Sequence, residues 1–159
     1  MWRLIEGNLD SPQVIELLDH HLRSSLAESG SPDSCHALDG SALRAQDVRF
    51  WSLWEGAELL AIGALKCLDG AHGEIKSMHT VQSGRRRGAG STVLQHLLAT
   101  ARTSGMRRLS LETGAAAYFA PARALYRRHG FVECPPFGDY RPDPNSVFMT
   151  RVLALGADG

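Results

Sequence analysis

The stretch Arg85-Arg86-Arg87-Gly88-Ala89-Gly90 decides the fold of this 159-residue chain. It follows a predicted strand, Glu74 to Val81, and precedes a periodic predicted helix, Ser91 to Thr103. Glycine lacks the side chain that would keep a ligand away from the backbone, and the first amides of a helix have no partner within it. The positive end of the helix dipole also attracts anions. The junction therefore predicts an anion site suited to a pyrophosphate.

Two other phosphate-binding motifs do not fit this loop. The P-loop requires a Lys followed by Ser or Thr, and no Lys lies near the loop. The dinucleotide motif requires a third Gly at the position of Val93. The pattern that remains is Arg-x-x-Gly-x-Gly on Arg85, Gly88 and Gly90. It resembles the pyrophosphate loop, Gln/Arg-x-x-Gly-x-Gly/Ala, of the GNAT superfamily of acyl-CoA-dependent N-acetyltransferases.

A second segment, Ala122 to Phe131, is similar to the Ala-x-x-Leu-Tyr-x-x-x-Gly-Phe sequence of the same family. With the loop, it extends the resemblance from Gly73 to Phe131. The resemblance implies an α+β fold, with a splayed, mostly antiparallel sheet of six or seven strands and helices on both faces. It also implies that an acetyl group passes from acetyl-CoA to an amine by direct attack, without an acyl-enzyme.

The resemblance implies how acetyl-CoA is held. In the family, loop amides bind the pyrophosphate, and the strand before the loop pairs with the pantetheine arm. The implied contacts in this chain are Met78, Thr80 and Val81 of the strand, and Arg85, Arg86, Arg87, Gly88, Ala89, Gly90 and Ser91 of the loop. Arginine side chains would add charge-assisted contacts to the phosphates.

Acetyl transfer also needs an acid for the leaving thiolate and a base for the incoming ammonium group. Tyr126 occupies the position at which the family's tyrosine approaches the coenzyme sulfur, so it is the implied acid. Glu74, eleven residues before Arg85, is the predicted base. Its rival Glu112, in the predicted strand Leu109 to Thr113, is predicted to bind the substrate ammonium group. Water alone is a further alternative for the base.

Neighbouring residues refine these roles. Strand alternation places Lys76 and Met78 on the face of Glu74, where the Lys76 ammonium group would keep the carboxylate charged. Loops between the last strands shape the acceptor pocket in the family. Asp139 and Tyr140 are therefore predicted substrate contacts.

Three functions remain open at this point. A small-molecule amine is the predicted acceptor, because 159 residues leave little room beyond the core for a docking surface. A protein or peptide acceptor is the second reading. The third is a non-catalytic acyl-CoA-binding module.

Apolar spacing and turn residues predict the other elements of the chain. They are a strand at Trp2 to Ile5, a helix from Pro12 to about Leu26, a loop from Ser29 to Gly40, strands at Arg49 to Glu55 and Leu59 to Leu68, a helix at Pro121 to His129, a strand from Phe131, and a last strand at Ser146 to Leu153. A disordered tail is expected after it.

Composition sets the remaining expectations. The length suits one domain over residues 1–159, and 17 basic residues balance 17 acidic ones, which favours neither nucleic acid nor a membrane surface. Three widely spaced cysteines and seven histidines without ligand spacing predict no disulfide, no metal and a cytoplasmic location. No apolar stretch approaches the about 20 residues of a membrane span. The family and the apolar last strand suggest a homodimer.

Overall fold

The computed structural model describes residues 1–153, which form seven strands and three α-helices. The strands are β1 (Trp2–Glu6), β2 (Val48–Glu55), β3 (Glu58–Cys67), β4 (His72–Thr80), β5 (Arg108–Gly114), β6 (Val132–Glu133) and β7 (Ser146–Val152). The helices are α1 (Pro12–Glu28), α2 (Ala89–Thr103) and α3 (Ala120–Arg128). The disordered tail expected from the sequence lies outside the described residues.

The seven strands form one sheet in the order β1-β2-β3-β4-β5-β7-β6. Neighbouring strands run antiparallel at every junction except β4 and β5, which run parallel. The predicted α+β class and mostly antiparallel sheet are therefore confirmed.

The parallel junction is short, and this opens the sheet. Only His72 to Glu74 of β4 pair with Arg108 to Ser110 of β5. Beyond Glu74 the two strands separate, so the β5-facing edge of residues 75–80 has no strand beside it within the described chain. Free backbone groups on such an edge can pair with an extended ligand.

Helices cover both faces of the sheet, as predicted. On one face, α1 packs Val14, Leu17 and Leu18 against strands β2 and β3. On the other, α2 presents an apolar stripe of Val93, Leu94, Leu97, Leu98 and Ala101, which are all buried. The stripe recurs at the three- and four-residue spacing of one helix face. Burying each large side chain contributes about 1.5–3 kcal/mol to folding.

A β-bulge in β4 reverses the faces of its second half. Lys76 pairs with Ala64 and His79 pairs with Ile62, so Ser77 and Met78 together oppose a single residue of β3. The sequence expectation that Met78 shares the face of Glu74 is therefore wrong. The Met78 side chain packs with the α2 layer, while His79 contacts α1. One inserted residue shifts the period-two alternation by a full step.

The strand predicted from Phe131 is shorter than expected. Phe131 itself is buried in the core beside the Tyr126 ring, and only Val132 and Glu133 pair with β7. Pro135 and Pro136 follow almost at once. Proline has no amide hydrogen to donate to a strand partner, which explains the early end of β6.

Candidate active site

The opening between β4 and β5 forms a covered cleft. Its cavity measures about 100 Å³. Strand β4 supplies one wall, β5 a second, and the start of α3 a third. Representative lining residues are Lys76, Ser77, Met78, Glu112, Thr113, Phe119 and Tyr126. The structure thus brings together three residues that the sequence predicted for the site: Met78, Glu112 and Tyr126.

The phosphate loop (residues 85–91) presents free amides at the start of α2. Gly88 adopts the left-handed conformation, with φ of 84°, as the residue before the helix. Within the described chain, the backbone amides of Gly88, Ala89, Gly90 and Ser91 donate to no protein acceptor. These are the orphan donors expected at a helix start, and they can bind an anion.

The three arginines of the loop differ in their surroundings. The Arg87 guanidinium donates to a Glu55 carboxylate oxygen at 2.6 Å and lies over the Trp2 ring. Arg87 is therefore held against β1 and β2. Arg85 and Arg86 are exposed, and among the described carboxylates neither has an ion-pair partner. These two side chains are the ones available to a phosphate.

Tyr126 projects from α3 into the cleft and is 6 % exposed. Burial raises the pKa of its phenol well above the usual value, and the charge of Glu112 adds to this effect. The hydroxyl therefore stays protonated throughout the usable pH range. A protonated phenol in the cleft can donate a hydrogen bond or a proton.

Glu112 lies on the opposite wall of the same cleft. Burial raises the pKa of its carboxyl group, while a hydrogen bond from the Ser146 hydroxyl at 2.7 Å opposes the rise. Of the nearby titratable groups, His36 and Lys76 lower the pKa of Glu112, and Glu74 raises it. A carboxylate with a raised pKa is suited to accept a proton near neutral pH.

Glu74, the base predicted from the sequence, lies beside the cleft and does not line it. Its carboxylate accepts the Tyr140 hydroxyl at 2.5 Å and lies 3.4 Å from the Lys76 ammonium group. The Glu74 and Lys76 side chains are 4 % and 9 % exposed. The carboxylate is therefore engaged in a buried ion pair, and Tyr140 separates it from solvent.

The two loop residues predicted to contact substrate also lie away from the cleft. Asp139 is exposed in a turn. Tyr140 packs against His36, and its hydroxyl also accepts a hydrogen bond from Lys76 at 2.9 Å. Tyr140 therefore connects the segment before β7 to β4, and the single proton of its hydroxyl is donated to Glu74.

The segment after α1 covers the cleft from the other side. Its lining residues, with those at the end of α1, are His21, Ser25, Ser29, Ser34, His36 and Ala37; we call these six the acceptor wall. The Ser34 hydroxyl donates to Asp143 at 2.6 Å, and the His36 carbonyl accepts from Lys76 at 3.0 Å. These bonds fasten the acceptor wall to the segment before β7 and to β4.

The acceptor wall and the Ser77 position are the parts of the site that sequence reasoning missed. His21 and Ser25 of the wall lie on α1, but the rest comes from a segment with neither helical nor strand periodicity, and the hydrogen bond from Ser34 to Asp143 spans more than a hundred positions of chain. Spacing carries no signal for such contacts. The bulge at Ser77, where one extra residue shifts the alternation of β4, also has no signal in the sequence, because neither Gly nor Pro marks it.

Two histidines form a buried pair between α1 and β4. Nδ1 of His21 lies 2.9 Å from Nδ1 of His79, and the His20 ring stacks edge-on against His79. Burial lowers the pKa of His21 to about 4 and the pKa of His79 to about 3. Both rings are therefore neutral at physiological pH, and the Nδ1–H of one ring donates a hydrogen bond to Nδ1 of the other.

This pair predicts a loss of stability in mild acid. The unfolded chain takes up protons at both histidines below about pH 6.5, whereas the folded chain does not until its lower pKa values are reached. Their contribution is complete above pH 6.5 and falls by up to about 1.4 kcal/mol per pH unit for each histidine toward pH 4. We expect the melting temperature of a His21→Leu/His79→Leu variant to fall less between pH 6.5 and 4.5 than that of the parent. Parallel curves would contradict this assignment.

A wider groove of about 420 Å³ lies outside the cleft, between α1 and β3. His20, Val81 and Ser83 line it, and none of the predicted catalytic residues does. Val81 is thus the one predicted coenzyme contact placed at this groove. Among residues 1–153, no group of three or more His, Cys, Asp or Glu side chains is arranged to hold a metal ion. No described helix is long and apolar enough to cross a membrane.

Comparisons with known proteins identify the family. Residues 13–131 match the model of the Acetyltransferase (GNAT) family. The chain is 52 % identical to "Uncharacterized N-acetyltransferase YsnE" of Bacillus subtilis (strain 168), covering 92 % of this chain and 96 % of that protein. It is 46 % identical to "Uncharacterized N-acetyltransferase YedL" of Escherichia coli (strain K12), with 96 % of each covered. It is 36 % identical to an "IAA acetyltransferase" of Azospirillum brasilense, with 89 % of each covered.

Solved structures show the same fold. A crystal structure of an acyl-CoA N-acyltransferase from Klebsiella pneumoniae superposes with a TM-score of 0.79 and 28 % identity, covering 97 % of this chain and 99 % of that one. A GNAT acetyltransferase from Elizabethkingia anophelis with acetyl-CoA bound gives 0.68 and 15 %, covering 96 % and 98 %. This chain belongs to the GNAT family. It is an acetyl-CoA-dependent acyltransferase, as the resemblance in its sequence implied.

Proposed function

We propose that this protein transfers the acetyl group of acetyl-CoA to a primary amine of a small molecule. The covered cleft is the observation that supports a small molecule as the acceptor. Hydrogen bonds hold the acceptor wall over it, and about 100 Å³ of cavity remains. A peptide acceptor requires an open groove for an extended chain, which this arrangement does not offer. The name of the Azospirillum brasilense relative also gives a small acceptor, IAA.

The proposed coenzyme site runs from the phosphate loop along the free edge of β4. The loop amides would bind the pyrophosphate, and Arg85 and Arg86 would add charge. Backbone groups of Met78 and Thr80 would pair with the pantetheine arm, because no strand occupies that edge of β4. Arg87 is left out of this set because its guanidinium is already paired with Glu55.

A glycine substitution tests the loop. A Cβ at Gly90 would lie 2.9 Å from the Thr80 hydroxyl and 3.3 Å from Leu125, so in Gly90→Ala either these side chains or the start of α2 must shift. Losing the alignment of one phosphate contact costs about 1 kcal/mol, so the Kd for acetyl-CoA should rise about fivefold in calorimetry. Gly70→Ala is the matched control, because its Cβ would meet open space. An unchanged Kd in Gly90→Ala would remove the loop from the coenzyme site.

For the chemistry, Glu112 is the proposed base and Tyr126 the proposed acid. Glu112 replaces Glu74, the base predicted from the sequence, because Glu112 lines the cleft and Glu74 is held by Lys76 and Tyr140. The negative charge of Glu112 is one cause of the high pKa of Tyr126. Once Glu112 has taken the proton of the amine, that effect disappears. Tyr126 therefore becomes more acidic as the thiolate departs.

A thiol-release screen tests the function. Purified protein is incubated with acetyl-CoA and separate panels of amines, polyamines, amino acids, aminoglycosides and peptides. The proposal expects saturable release of CoA with one of the small-molecule panels. Release only with peptides would favour a protein acceptor. Stoichiometric binding of acetyl-CoA in calorimetry, with no release from any panel, would favour a non-catalytic binding module.

We also propose a cytoplasmic location and a homodimer for this protein. The three cysteines are all free, which suits a reducing compartment. Val132 and Val152, on the edge strand and its neighbour, are 62 % and 66 % exposed. A second copy would cover these side chains. Light scattering coupled to gel filtration measures the mass and decides between monomer and dimer.

A further inference from the structure

Ser77 has a buried hydroxyl that no described residue satisfies. The residue is 7 % exposed, and its Oγ has no hydrogen-bond partner in the protein. It lies in the bulge of β4 and lines the cleft that also contains Tyr126 and Glu112. Its backbone has φ of 56°, in the left-handed region that residues with a side chain seldom adopt.

Both features of Ser77 cost folding free energy. A buried donor without a partner destabilises the folded chain, and so does a strained backbone conformation. Alanine would avoid the first cost and glycine would avoid both. Unsatisfied groups and strained residues of this kind are found mainly at functional sites, where a ligand supplies the missing partner.

The chemistry of the thioester indicates which ligand atom would be the missing partner of the Ser77 hydroxyl. The thioester has one strong hydrogen-bond acceptor near the scissile bond, its carbonyl oxygen, and this oxygen gains negative charge when the amine attacks. If the coenzyme sulfur lies beside Tyr126, the carbonyl is one bond away in the same cleft. Ser77 supplies a neutral hydroxyl donor on the β4 wall of that cleft. A donor directed at a developing oxyanion contributes a large part of catalysis in acyl transfer.

We propose that the Ser77 hydroxyl donates a hydrogen bond to the carbonyl oxygen of the thioester and stabilises the oxyanion formed from it. This rests on the proposed function. The amine nitrogen forms a bond to the carbonyl carbon, the carbonyl electron pair moves to oxygen, and Glu112 takes the amine proton. The carbonyl then re-forms, the carbon–sulfur bond breaks, and the thiolate takes the proton of Tyr126. Ser77 keeps its proton throughout.

The test uses two variants that remove the same hydroxyl. Ser77→Ala keeps the left-handed strain, and Ser77→Gly relieves it. Acetyl-CoA labelled with 13C at the carbonyl is bound to each protein, and the carbonyl stretch is read by difference infrared spectroscopy. We expect the band of the parent to lie below its frequency in water, and both variants to lose most of this shift. This readout needs no acceptor, so it separates failure of this proposal from failure of the proposed function.

Turnover supplies the second measurement. With an acceptor from the screen, both variants should show kcat lowered about 10- to 100-fold, with little change in KM for the amine or in Kd for CoA. Equal losses in both variants support the hydroxyl. A loss in Ser77→Gly alone would assign the effect to the backbone, and a rise in KM for the amine with kcat intact would make Ser77 an acceptor contact. Either result, or an unshifted band in the parent, overturns the proposal.

A stability control guards against misfolded variants. Removing an unsatisfied hydroxyl should leave the melting temperature of Ser77→Ala unchanged or raised. Ser52→Ala is the contrast, because the Ser52 hydroxyl is buried far from the cleft and accepts the Trp54 indole N–H at 2.8 Å. That variant should melt at a lower temperature with the carbonyl band unchanged. If Ser77→Ala were destabilised, the band in Ser77→Gly and in the parent would still decide.

Discussion

Replacing Glu112 by Gln is expected to lower kcat about 100-fold, the lower range for the loss of a general base. Gln keeps the size of the side chain and can still accept the Ser146 hydroxyl, so the fold should be retained. The pH profile provides an independent reading. Activity of the parent should fall as the pH drops through the raised pKa of Glu112, since only the carboxylate accepts a proton. That acidic limb should be absent from the residual activity of Glu112→Gln.

Glu74→Gln is the matched comparison, because it makes the same chemical change in the other glutamate. It leaves the Lys76 ammonium group buried without a charged partner, so its main effect should be a lower melting temperature. Steady-state kinetics at a temperature where both variants are folded then separates the two assignments. Loss of turnover in Glu74→Gln, with Glu112→Gln fully active, would restore the base predicted from the sequence.

Tyr126→Phe is expected to lower turnover at least tenfold, about 1.4 kcal/mol of transition-state stabilisation. The Phe ring retains the packing against Phe131 and removes only the hydroxyl. The leaving thiolate then lacks the proton donor proposed for it and must be protonated by another group or by water. The Kd for acetyl-CoA should be nearly unchanged, because the proposed binding contacts lie in the phosphate loop and β4.

The outcome is read from initial rates of thiol release, calorimetric Kd and melting temperature on the same preparation. A fall in kcat with the other two quantities intact supports the acid role. Turnover equal to that of the parent would remove Tyr126 from catalysis. A weaker Kd with kcat preserved would make the residue a coenzyme contact only.

The sequence predicted most of the fold because its signals are local. Helix α2 begins at Ala89, directly after the left-handed Gly88 and two residues before the predicted start at Ser91. The periodic apolar stripe of α2 predicts which face of the helix is buried. Among the strands, the prediction differs most from the structure after Phe131. Phe131 is buried in the core, and only Val132 and Glu133 form a strand.

The site was predictable only where a motif carried it. Tyr126 and the phosphate loop lie in the two segments that resemble the family. Our proposal of Glu112 over Glu74 rests on which carboxylate lines the cleft, and on the Tyr140 hydroxyl that donates to Glu74. Tyr140 is 66 positions from Glu74 in the chain, and no local pattern reports such a contact.

The bulge in β4 has one more consequence. The extra residue leaves the side chains before it on their original faces. It places the side chains after it on the face opposite to the one that regular alternation predicts. If β4 paired regularly through Ser77 without the bulge, His79 would face α2 and Met78 would face α1. Straightening the strand with Ser77 retained would therefore exchange the side chains presented to α1 and α2, whereas removing the extra residue would leave Met78 and His79 on their present faces.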